Sequence, residues 1–331
     1  MVVLEIRTFM FKNIALIVTL SYIIKMVKVF LKYSHMTVYM LLLVIVLLLH
    51  ALPLSATPED DTSREALAEW INDYSQLRDE GFGDLVNTDE DAQGFLNVLE
   101  SEGYTTRTYG DLAAHESHFE KPTVDGSDYL FMDDVDYAYF SGHGTEEAFW
   151  FGVNSDGDRN FPYRVHYTET YWGDRDAEWI FISACQVLSD LHRGDWRRYA
   201  FFNGDDRNWH NLWFHGMTGF TTTIPDDPNL GQRLANYLTD NWGPLSIEDS
   251  WFWATVNTFS ATEQAAIMYP EIVAKDAQGN IIEEYDYGHE FLAEFGDVYA
   301  DPKDLIEQLM SRSDVAEVDL YFITVTWWGC G

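Results

Sequence analysis

Two stretches of sequence, Asp136-Tyr-Ala-Tyr-Phe-Ser-Gly-His143-Gly144 and Glu178-Trp-Ile-Phe-Ile-Ser-Ala184-Cys185, decide the fold. Each is a short run of aromatic and β-branched residues that ends at small residues and then presents one reactive side chain. Such runs are typical of strands that are buried on both faces of a parallel sheet. Because open α/β sheets bind their ligands at the carboxyl ends of the strands, the pattern predicts that His143 and Cys185 meet at one sheet edge.

A histidine next to a cysteine provides the chemistry of a thiol nucleophile. The imidazole of His143 can take the proton of the Cys185 thiol, and the resulting thiolate is the reactive form. The alternative is that Cys185 is a small buried hydrophobic residue, as cysteine often is. The residues themselves leave both interpretations open.

The two stretches resemble the signature of the caspase-like cysteine peptidases, the clan that includes caspases, legumains and gingipains. In that clan a His-Gly pair ends one hydrophobic strand and an Ala-Cys pair ends the next, as Ser141-Gly142-His143-Gly144 and Ser183-Ala184-Cys185 do here. The resemblance covers roughly residues 130–225 and implies an α/β fold with a caspase-like, mostly parallel sheet flanked by helices. It also implies that His143 is the general base, Cys185 the nucleophile, and the Gly144 and Cys185 amides the oxyanion hole.

The run 212–223 is predicted to form the next strand. By the same resemblance, a strand and loop after the nucleophile help to build the substrate pocket, so His215, Gly216 and Gly219 are expected to line it. The alternative is that the two glycines allow close packing and that His215 is an ordinary histidine at the edge of the core.

Patterns elsewhere fit the same α/β class, with aromatic-rich additions. The C-terminal run 315–328 is apolar on both faces, so it is predicted to be a long strand that lies inside the sheet or pairs with another subunit at an edge. Further predicted elements are a helix that begins at 62–65, a helix over 88–99, a strand over 104–109, a hairpin arm over 148–153, and helices over 229–238 and 247–258.

The composition is acidic but is that of a folded chain. The sequence holds 55 acidic and 20 basic side chains, for a formal net charge of −35. With so few positive charges the surface cannot neutralise phosphates, which excludes general nucleic-acid binding. Aromatic residues make up 16% of the chain, and disordered acidic chains lack such residues. Residues 57–331 are therefore predicted to form one domain.

Residues 1–56 are predicted to direct export. Lys25, Lys28 and Lys32 precede an apolar stretch, 38–54, that has a small residue at its end. A basic segment, an apolar segment and a small residue are the parts of a secretory signal peptide. A retained membrane anchor is the alternative, because about 18 apolar residues nearly span a bilayer. Both interpretations place the protein outside the cell or at the cell surface.

The chain has two cysteines, Cys185 and Cys330. In an exported protein a disulfide between them is the one intramolecular pairing, and it would remove the nucleophile. In the other case Cys330 is free or crosslinks two molecules. The sequence does not decide between these states.

Metal binding is suggested by two patterns. One turn resembles the start of a calcium-binding loop, with oxygen-bearing side chains alternating around Gly157, but its twelfth position is Val165 rather than an acid. His115 and His118 have the i, i+3 spacing of a zinc pair, without evident further ligands. No cofactor is required by the predicted chemistry, and an acidic turn and solvated histidines are the alternatives. The oxygen-bearing residues of the turn are Asn154, Asp156, Asp158 and Asn160.

The sequence supports function hypotheses of different classes. The first is a secreted cysteine endopeptidase that acts on peptide or protein substrates. The second is a structural protein, because acidic, lysine-poor, exported chains resemble the surface-layer and sheath proteins of some archaeal cells, which assemble with copies of themselves. A third is a binding module that kept the pocket without the activity.

Overall fold

The structure is a computed structural model that describes residues 63–153, 161–206, 208–239, 245–291 and 300–329. These residues fall within one compact unit, Pro58–Gly331. The strands in them are β1 (Glu65–Trp70), β2 (Thr105–Gly110), β3 (Tyr137–Ser141), β4 (Ala148–Trp150), β5 (Arg164–His166), β6 (Trp179–Ser183), β7 (Gly216–Phe220), β8 (Gln264–Lys275), β9 (Ile281–Asp286) and β10 (Glu317–Trp328).

Five α-helices accompany the strands in the described residues: α1 (Thr88–Ser101), α2 (Arg193–Trp196), α3 (Leu230–Leu238), α4 (Ile247–Val256) and α5 (Pro302–Met310). A π-helical turn, Arg197–Phe201, continues α2. Short 3-10 segments are Ser75–Glu80, Asp111–Ala113, Glu116–His118, Pro122–Val124, Asp128–Leu130, Met132–Asp134, Tyr167–Glu169, Trp209–Asn211 and Tyr287–His289.

One mixed sheet forms the centre of the fold. Its strands pair in the order β10-β8-β7-β6-β3-β1-β2, and β9 also pairs with β8. The pairs from β2 through β7 are parallel, whereas β8 is antiparallel to β7, β9 and β10. The predicted α/β class, with a mostly parallel sheet, packed helices and a long C-terminal strand, is confirmed. A separate two-stranded sheet pairs β4 with β5, as expected for the hairpin arm.

The middle strands are buried on both faces. All five residues of β3 and all five of β6 are buried. Because these side chains cannot reach water on either side, both strands consist of near-continuous apolar and aromatic residues. Because both strands are buried, their register is fixed, and β3 and β6 end at the same level of the sheet.

The first predicted helix is wrong, since residues 65–70 form β1. Ala66, Leu67 and Ala68 have no exposed surface, and β1 lies between β2 and β3 with parallel partners on both sides. A short buried strand and a helix segment cannot be separated by apolar spacing alone. Residues 65–70 form a strand because β2 and β3 pair with them in parallel on both sides.

Helix α1 was predicted correctly, and its packing matters for the site. Asp89, Glu90 and Asp91 lie in its first turn, where negative charge is favourable to the helix dipole. The helix packs closely against α3: a Cβ added at Gly94 would lie 2.9 Å from the Cβ of Gln232. The two helices therefore approach each other closely at the second turn of α1.

The C-terminal strand β10 pairs with β8 along its whole length, from Glu317↔Lys275 to Trp328↔Gln264. The other side of β8 is shared, because β7 pairs with it up to Met268 and β9 from Glu271 onward. Pro270 pairs with Phe322 of β10 and lies in the gap between β7 and β9, so that neither of these two strands requires an N–H from it. Among the described strands, β10 is an edge of the sheet, as one of the two predicted placements required.

The helices of the described ranges include none with the length and apolar character needed to cross a bilayer. The predicted export segment, residues 1–56, lies outside the described residues.

The contact between Gly216 and Trp179 yields a stability prediction. A Cβ at Gly216 would lie 2.2 Å from the fully buried Trp179 ring, so we expect Gly216→Ala to lower the free energy of unfolding by about 1–3 kcal/mol. The control is Gly194→Ala in α2, where a Cβ meets open space and alanine favours the helix by up to about 1 kcal/mol. Urea unfolding measures both, and equal effects would contradict the prediction.

Candidate functional site

The ends of β3 and β6 bring the predicted reactive residues to one cleft. Ser141 of β3 is the register partner of Ser183 of β6, and the amide of Gly142 donates to the Ser183 carbonyl over 3.1 Å. His143 and Cys185 each follow two positions after these partners. A cleft of about 410 Å³ is lined by Leu85, Thr88, Ser141, Gly142, His143, Ser183, Cys185, Ile224, Pro225, Asp226 and Asp227.

Gly144 joins the two loops directly. A Cβ added at Gly144 would lie 2.4 Å from the carbonyl oxygen of Cys185, 3.0 Å from its amide nitrogen and 2.9 Å from the Cβ of Ala184. The histidine loop can approach the cysteine loop this closely only because residue 144 has no side chain. The glycine after the histidine and the alanine before the cysteine are thus parts of one packing contact.

The imidazole of His143 is held by the loop that follows β1. The ring of Tyr74 packs on it at 4.5 Å between centroids and the ring of Phe82 at 5.0 Å. The Tyr74 hydroxyl accepts the His143 backbone N–H at 2.8 Å and donates to the Trp150 carbonyl, also at 2.8 Å. Tyr74 is fully buried. The orientation of His143 is therefore fixed through its backbone and by rings that contact its side chain.

One hydrogen bond assigns the tautomer of His143. Its Nε2 lies 2.7 Å from the carbonyl oxygen of Gly83. A carbonyl can only accept, so Nε2 carries the hydrogen and the neutral ring has its lone pair on Nδ1. Among the described residues no partner occupies Nδ1. The ring is thus set up to accept a proton at Nδ1.

Cys185 is a free, half-buried thiol. Its Sγ accepts the Ile224 amide at 3.3 Å and lies 3.7 Å from the Ile224 carbonyl. Gln186, the next residue, has a left-handed backbone with φ of 61°, a conformation that costs a non-glycine residue about 1–2 kcal/mol. The turn lets the Gln186 amide reach the Thr222 carbonyl at 3.1 Å. Strain of this kind clusters at functional sites.

The charges around the cleft are negative. Asp226 and Asp227 line it, and its described lining includes no lysine or arginine. The Oδ2 of Asp226 accepts the amides of Val86 and Asn87 at 2.7 and 2.9 Å, which anchors the carboxylate. A cation formed in the cleft would be stabilised by this charge.

The resting pair is neutral. Burial lowers the pKa of His143, while the Gly83 carbonyl and the Asp226 carboxylate oppose that shift. Burial raises the pKa of Cys185, against the Ile224 amide, which lowers it. At neutral pH the site therefore contains an imidazole and a thiol rather than a preformed ion pair.

Two backbone amides are available beside the thiol. Within the described parts of the chain, neither the Gly144 amide nor the Cys185 amide hydrogen-bonds to another residue. Gly144 forms an isolated bridge with Phe149, but the bonds of that bridge use the His143 carbonyl and the Thr145 amide. The Cys185 amide also contacts its own sulfur, which lowers the pKa of the thiol, and both N–H groups are donors of the kind that an oxyanion would require.

The three residues expected to line a substrate pocket lie apart from this cleft. His215 and Gly216 are at the amino end of β7, opposite the end of the sheet that carries Cys185. Gly219 packs on Val187 and Leu188. None of the three is among the residues that line the cleft, and the two glycines pack closely against neighbouring side chains.

His215 belongs to a buried ion-paired cluster. Its Nδ1 lies 3.1 Å from both carboxylate oxygens of Glu290, and its Nε2 lies 3.5 Å from Asp301. Glu290 also accepts the indole N–H of Trp179 at 2.9 Å. Burial alone would lower the pKa of His215, but the two carboxylates outweigh it and raise the pKa well above its usual range.

Of the two predicted metal patterns, the histidine pair lies within the described residues and the calcium-like turn does not. The described residues contain no group of three or more His, Cys, Asp or Glu side chains placed to hold a metal ion. His118 instead pairs with the buried Glu69 at 2.6 Å and stacks with His115. Four residues of the calcium-like turn, Asn154, Asp156, Asp158 and Asn160, lie outside the described residues, as does Cys330.

Several residues at the cleft were not identified from the sequence. Tyr74, Gly83 and Asp226 come from loops after β1 and β7, far from the two quoted stretches, and no local pattern marks them. Asp91 was placed in a helix but was not assigned a role. A signal for Asp226 was available, because it follows a predicted strand that is parallel to the other two.

Comparison with known proteins gives a family and a distant structural similarity. A family model described as "Domain of unknown function (DUF6345)" matches residues 68–307, which is more than half of the chain. No curated protein matches. The chain is similar to the crystal structure of the Arg specific cysteine proteinase gingipain R, with a TM-score of 0.40 and 15% identity. The likeness covers 72% of this chain and 64% of that one.

The raised pKa of His215 predicts a stability that depends on pH. The folded state binds the proton more tightly than the unfolded state, so the stabilisation is complete below about pH 6.5 and is lost as pH rises through the folded pKa. At pH 6 we expect His215→Gln to cost about 3–5 kcal/mol, because the Glu290 charge is left buried and unpaired. Urea unfolding across the pH range measures this. The control is His210→Gln, an exposed histidine, and a wild-type pH profile in His215→Gln would contradict the prediction.

Tyr74 supplies a second prediction. We expect Tyr74→Phe to lower the free energy of unfolding by about 1–3 kcal/mol, because the half-buried His143 amide and the buried Trp150 carbonyl both lose their partner. Thermal unfolding measures the loss. Tyr129→Phe, at a side chain that is 37% exposed, is the matched control, and equal unfolding temperatures for the two variants would show that the hydroxyl is not needed.

Proposed function

The chain belongs to the DUF6345 family, described as a domain of unknown function, and we propose that it is a cysteine-type endopeptidase in which Cys185 is the nucleophile and His143 the general base. The observation that carries the proposal is the meeting of both residues in one cleft, at the carboxyl ends of adjacent parallel strands. This is the arrangement that the resemblance to the caspase-like peptidases implies. The contact of Gly144 with the Cys185 backbone supports it.

The proposed acylation step begins with proton transfer from the Cys185 thiol to Nδ1 of His143. The sulfur attacks the carbonyl carbon of the scissile peptide bond, a C–S bond forms, and the carbonyl oxygen becomes an oxyanion. The amides of Gly144 and Cys185 donate to that oxygen. When the tetrahedral adduct collapses, the C–N bond breaks and the imidazolium gives its proton to the leaving amine.

Deacylation reverses the roles of the same groups. His143 takes a proton from a water molecule, the hydroxide attacks the thioester carbonyl, and the C–S bond breaks. The imidazolium then returns a proton to the sulfur and the acid product leaves. Asp226 supports both steps, because its charge favours the imidazolium that each step forms.

The cleft favours positively charged substrates. Its lining presents two carboxylates, and the whole chain carries a formal net charge of −35. Both features attract cationic peptides and repel acidic ones. We therefore propose that Arg or Lys near the scissile bond improves turnover. The predicted signal segment supports action outside the cytoplasm.

A structural role is the second candidate function, and β10 is the observation that favours it. Its twelve residues pair with β8 alone among the described strands, and Tyr321 and Trp328 are 46% and 53% exposed. A long apolar edge strand can pair with a further copy of the same chain. In that role Cys185 would be dispensable.

Replacement of the two cysteines separates these functions. With fluorogenic peptides that carry Arg, Lys, Leu or Asp before the scissile bond, we expect Cys185→Ala and His143→Ala each to lower kcat at least about 1,000-fold. Cys330→Ala is the matched control and should keep wild-type turnover.

A thiol-reactive acyl probe adds a direct readout. It should label Cys185 in the folded, reduced Cys330→Ala protein and fail to label Cys185→Ala. An unreactive Cys185, together with peptide turnover that Cys185→Ala leaves unchanged, would overturn the peptidase proposal. If Cys185→Ala assembles into large particles as the wild type does, the structural role is favoured instead.

A further inference from the structure

A buried carboxylate lies beneath the cleft and takes no part in the chemistry described so far. Asp91, in the first turn of α1, is 1% exposed. Its Oδ2 accepts the Tyr139 hydroxyl at 2.9 Å and the Ser141 hydroxyl at 2.8 Å. Its Oδ1 accepts the Gly231 amide, in the first turn of α3, at 2.6 Å. A carboxylate that is removed from water in this way is retained only with several donors around it.

The donors connect Asp91 to the end of β3, and the pairing of Ser141 with Ser183 connects that end to β6. Ser141 ends β3 two positions before His143, and its register partner Ser183 ends β6 two positions before Cys185. The Ser183 hydroxyl is also close enough to Asp91 to lower the pKa of its carboxyl group. The Asp91 side chain therefore lies next to the last residues of β3 and β6, where the two reactive loops begin.

Asp91 cannot easily move away from this place. A Cβ added at Gly231 would lie 2.4 Å from the Asp91 carbonyl, so α3 presses directly on the first turn of α1. The ring of Tyr139 is stacked on Phe95 at 4.9 Å. The carboxylate is thus held between two helices on one side and the ends of two strands on the other.

We propose that Asp91 is a positioning residue of the site: its ionised carboxylate holds the end of β3, and with it the paired end of β6, and thereby sets how the imidazole of His143 faces the thiol of Cys185. This inference rests on the proposed function. It adds a regulation to it, because this contact depends on the charge of a group that can take up a proton.

The ionised form is the one that fits the donors. Two hydroxyls and one amide point at the two oxygens, and a protonated acid would have to give up one acceptor position. Burial raises the pKa of Asp91 to about 6, against the hydrogen bonds from Gly231, Ser141, Tyr139 and Ser183. We therefore expect this contact to loosen as the pH falls through about 6.

The groups that face Asp91 do not supply a compensating positive charge. The titratable group on β3 is Tyr139, whose pKa is raised well above its usual range by burial, by Asp91 and, more weakly, by Asp227 ahead of α3. Strand β6 contributes the uncharged Ser183. On α1 itself, Asp89 and Glu90 add further negative charge. Because no positive charge in these groups stabilises the carboxylate, we expect Asp91 to take up a proton as the pH falls.

The test is Asp91→Asn in the Cys330→Ala background. Asparagine has a similar shape but cannot accept two hydroxyl donors on Nδ2, and it does not titrate. For the hydrolysis of an Arg-containing peptide at pH 8, we expect kcat to fall about 10- to 100-fold with KM within about threefold, since misplacement of reacting groups acts on the chemical step. Glu90→Gln, an exposed acid in the same helical turn, should keep wild-type values.

The pH profile separates positioning from a general structural role. In the wild type we expect kcat and the alkylation rate of Cys185 by iodoacetamide to fall together near pH 6. In Asp91→Asn we expect the loss of kcat on the acid side of the pH profile to occur at a lower pH, because only His143 then titrates. If Asp91→Asn fails to fold, Ser141→Ala replaces it; that variant should lower kcat and keep the limb near pH 6, because the carboxyl group remains.

The two proposals fail in different ways. A wild-type protein that hydrolyses no peptide contradicts the peptidase function, and the alkylation profile of Cys185 still decides the role of Asp91. If Asp91→Asn shows the wild-type alkylation profile and the wild-type kcat, the positioning role is overturned while the peptidase function stands.

Discussion

The close approach of two loops, Gly144 against the backbone of Cys185, is the contact on which the rest of the site depends. It requires that β3 and β6 be neighbours, that both run in the same direction, and that Ser141 and Ser183 end them at the same height. Complete burial of both strands fixes that height, because sliding either strand by one residue would turn its side chains to the opposite face. A residue larger than glycine at 144 would separate the loops. The chemistry of the cleft is thus a consequence of strand register and of one missing side chain.

The molecule separates its charges by environment. Most of its many carboxylates face water, where they repel each other weakly. Two of the buried carboxylates show how such groups are held by donors: Asp91 by two hydroxyls and an amide, and Glu290 by the Trp179 indole and the His215 ring. A buried charge without such partners would cost several kcal/mol, about 3–5 for a broken pair. The acidic composition and the aromatic core are therefore compatible.

The parts of the fold that follow from local patterns could be predicted from the sequence, and the parts that depend on distant contacts could not. The runs that became β3, β6 and β10 were recognised because their residues suit buried or half-buried strands. Strand β8 was missed because Pro270 interrupts its pattern, and only the gap between β7 and β9 makes that proline harmless. The reading of β1 as a helix failed because parallel pairing on both sides overrode apolar spacing. At the site, His143 and Cys185 have a sequence signature, whereas Tyr74 and Asp226 reach the cleft only through the tertiary fold.

The partner that orients His143 is a main-chain atom, the carbonyl oxygen of Gly83. Every amino acid carries this oxygen, and a side chain added at residue 83 would meet open space. Drift of the residue type at this position during evolution can therefore leave the imidazole aligned, provided that the path of the loop is kept. A search for a third acidic residue behind the histidine, of the kind that orients histidines in many hydrolases, would look for the wrong thing here. This part of the alignment depends on the path of the loop and does not require a particular residue type at position 83.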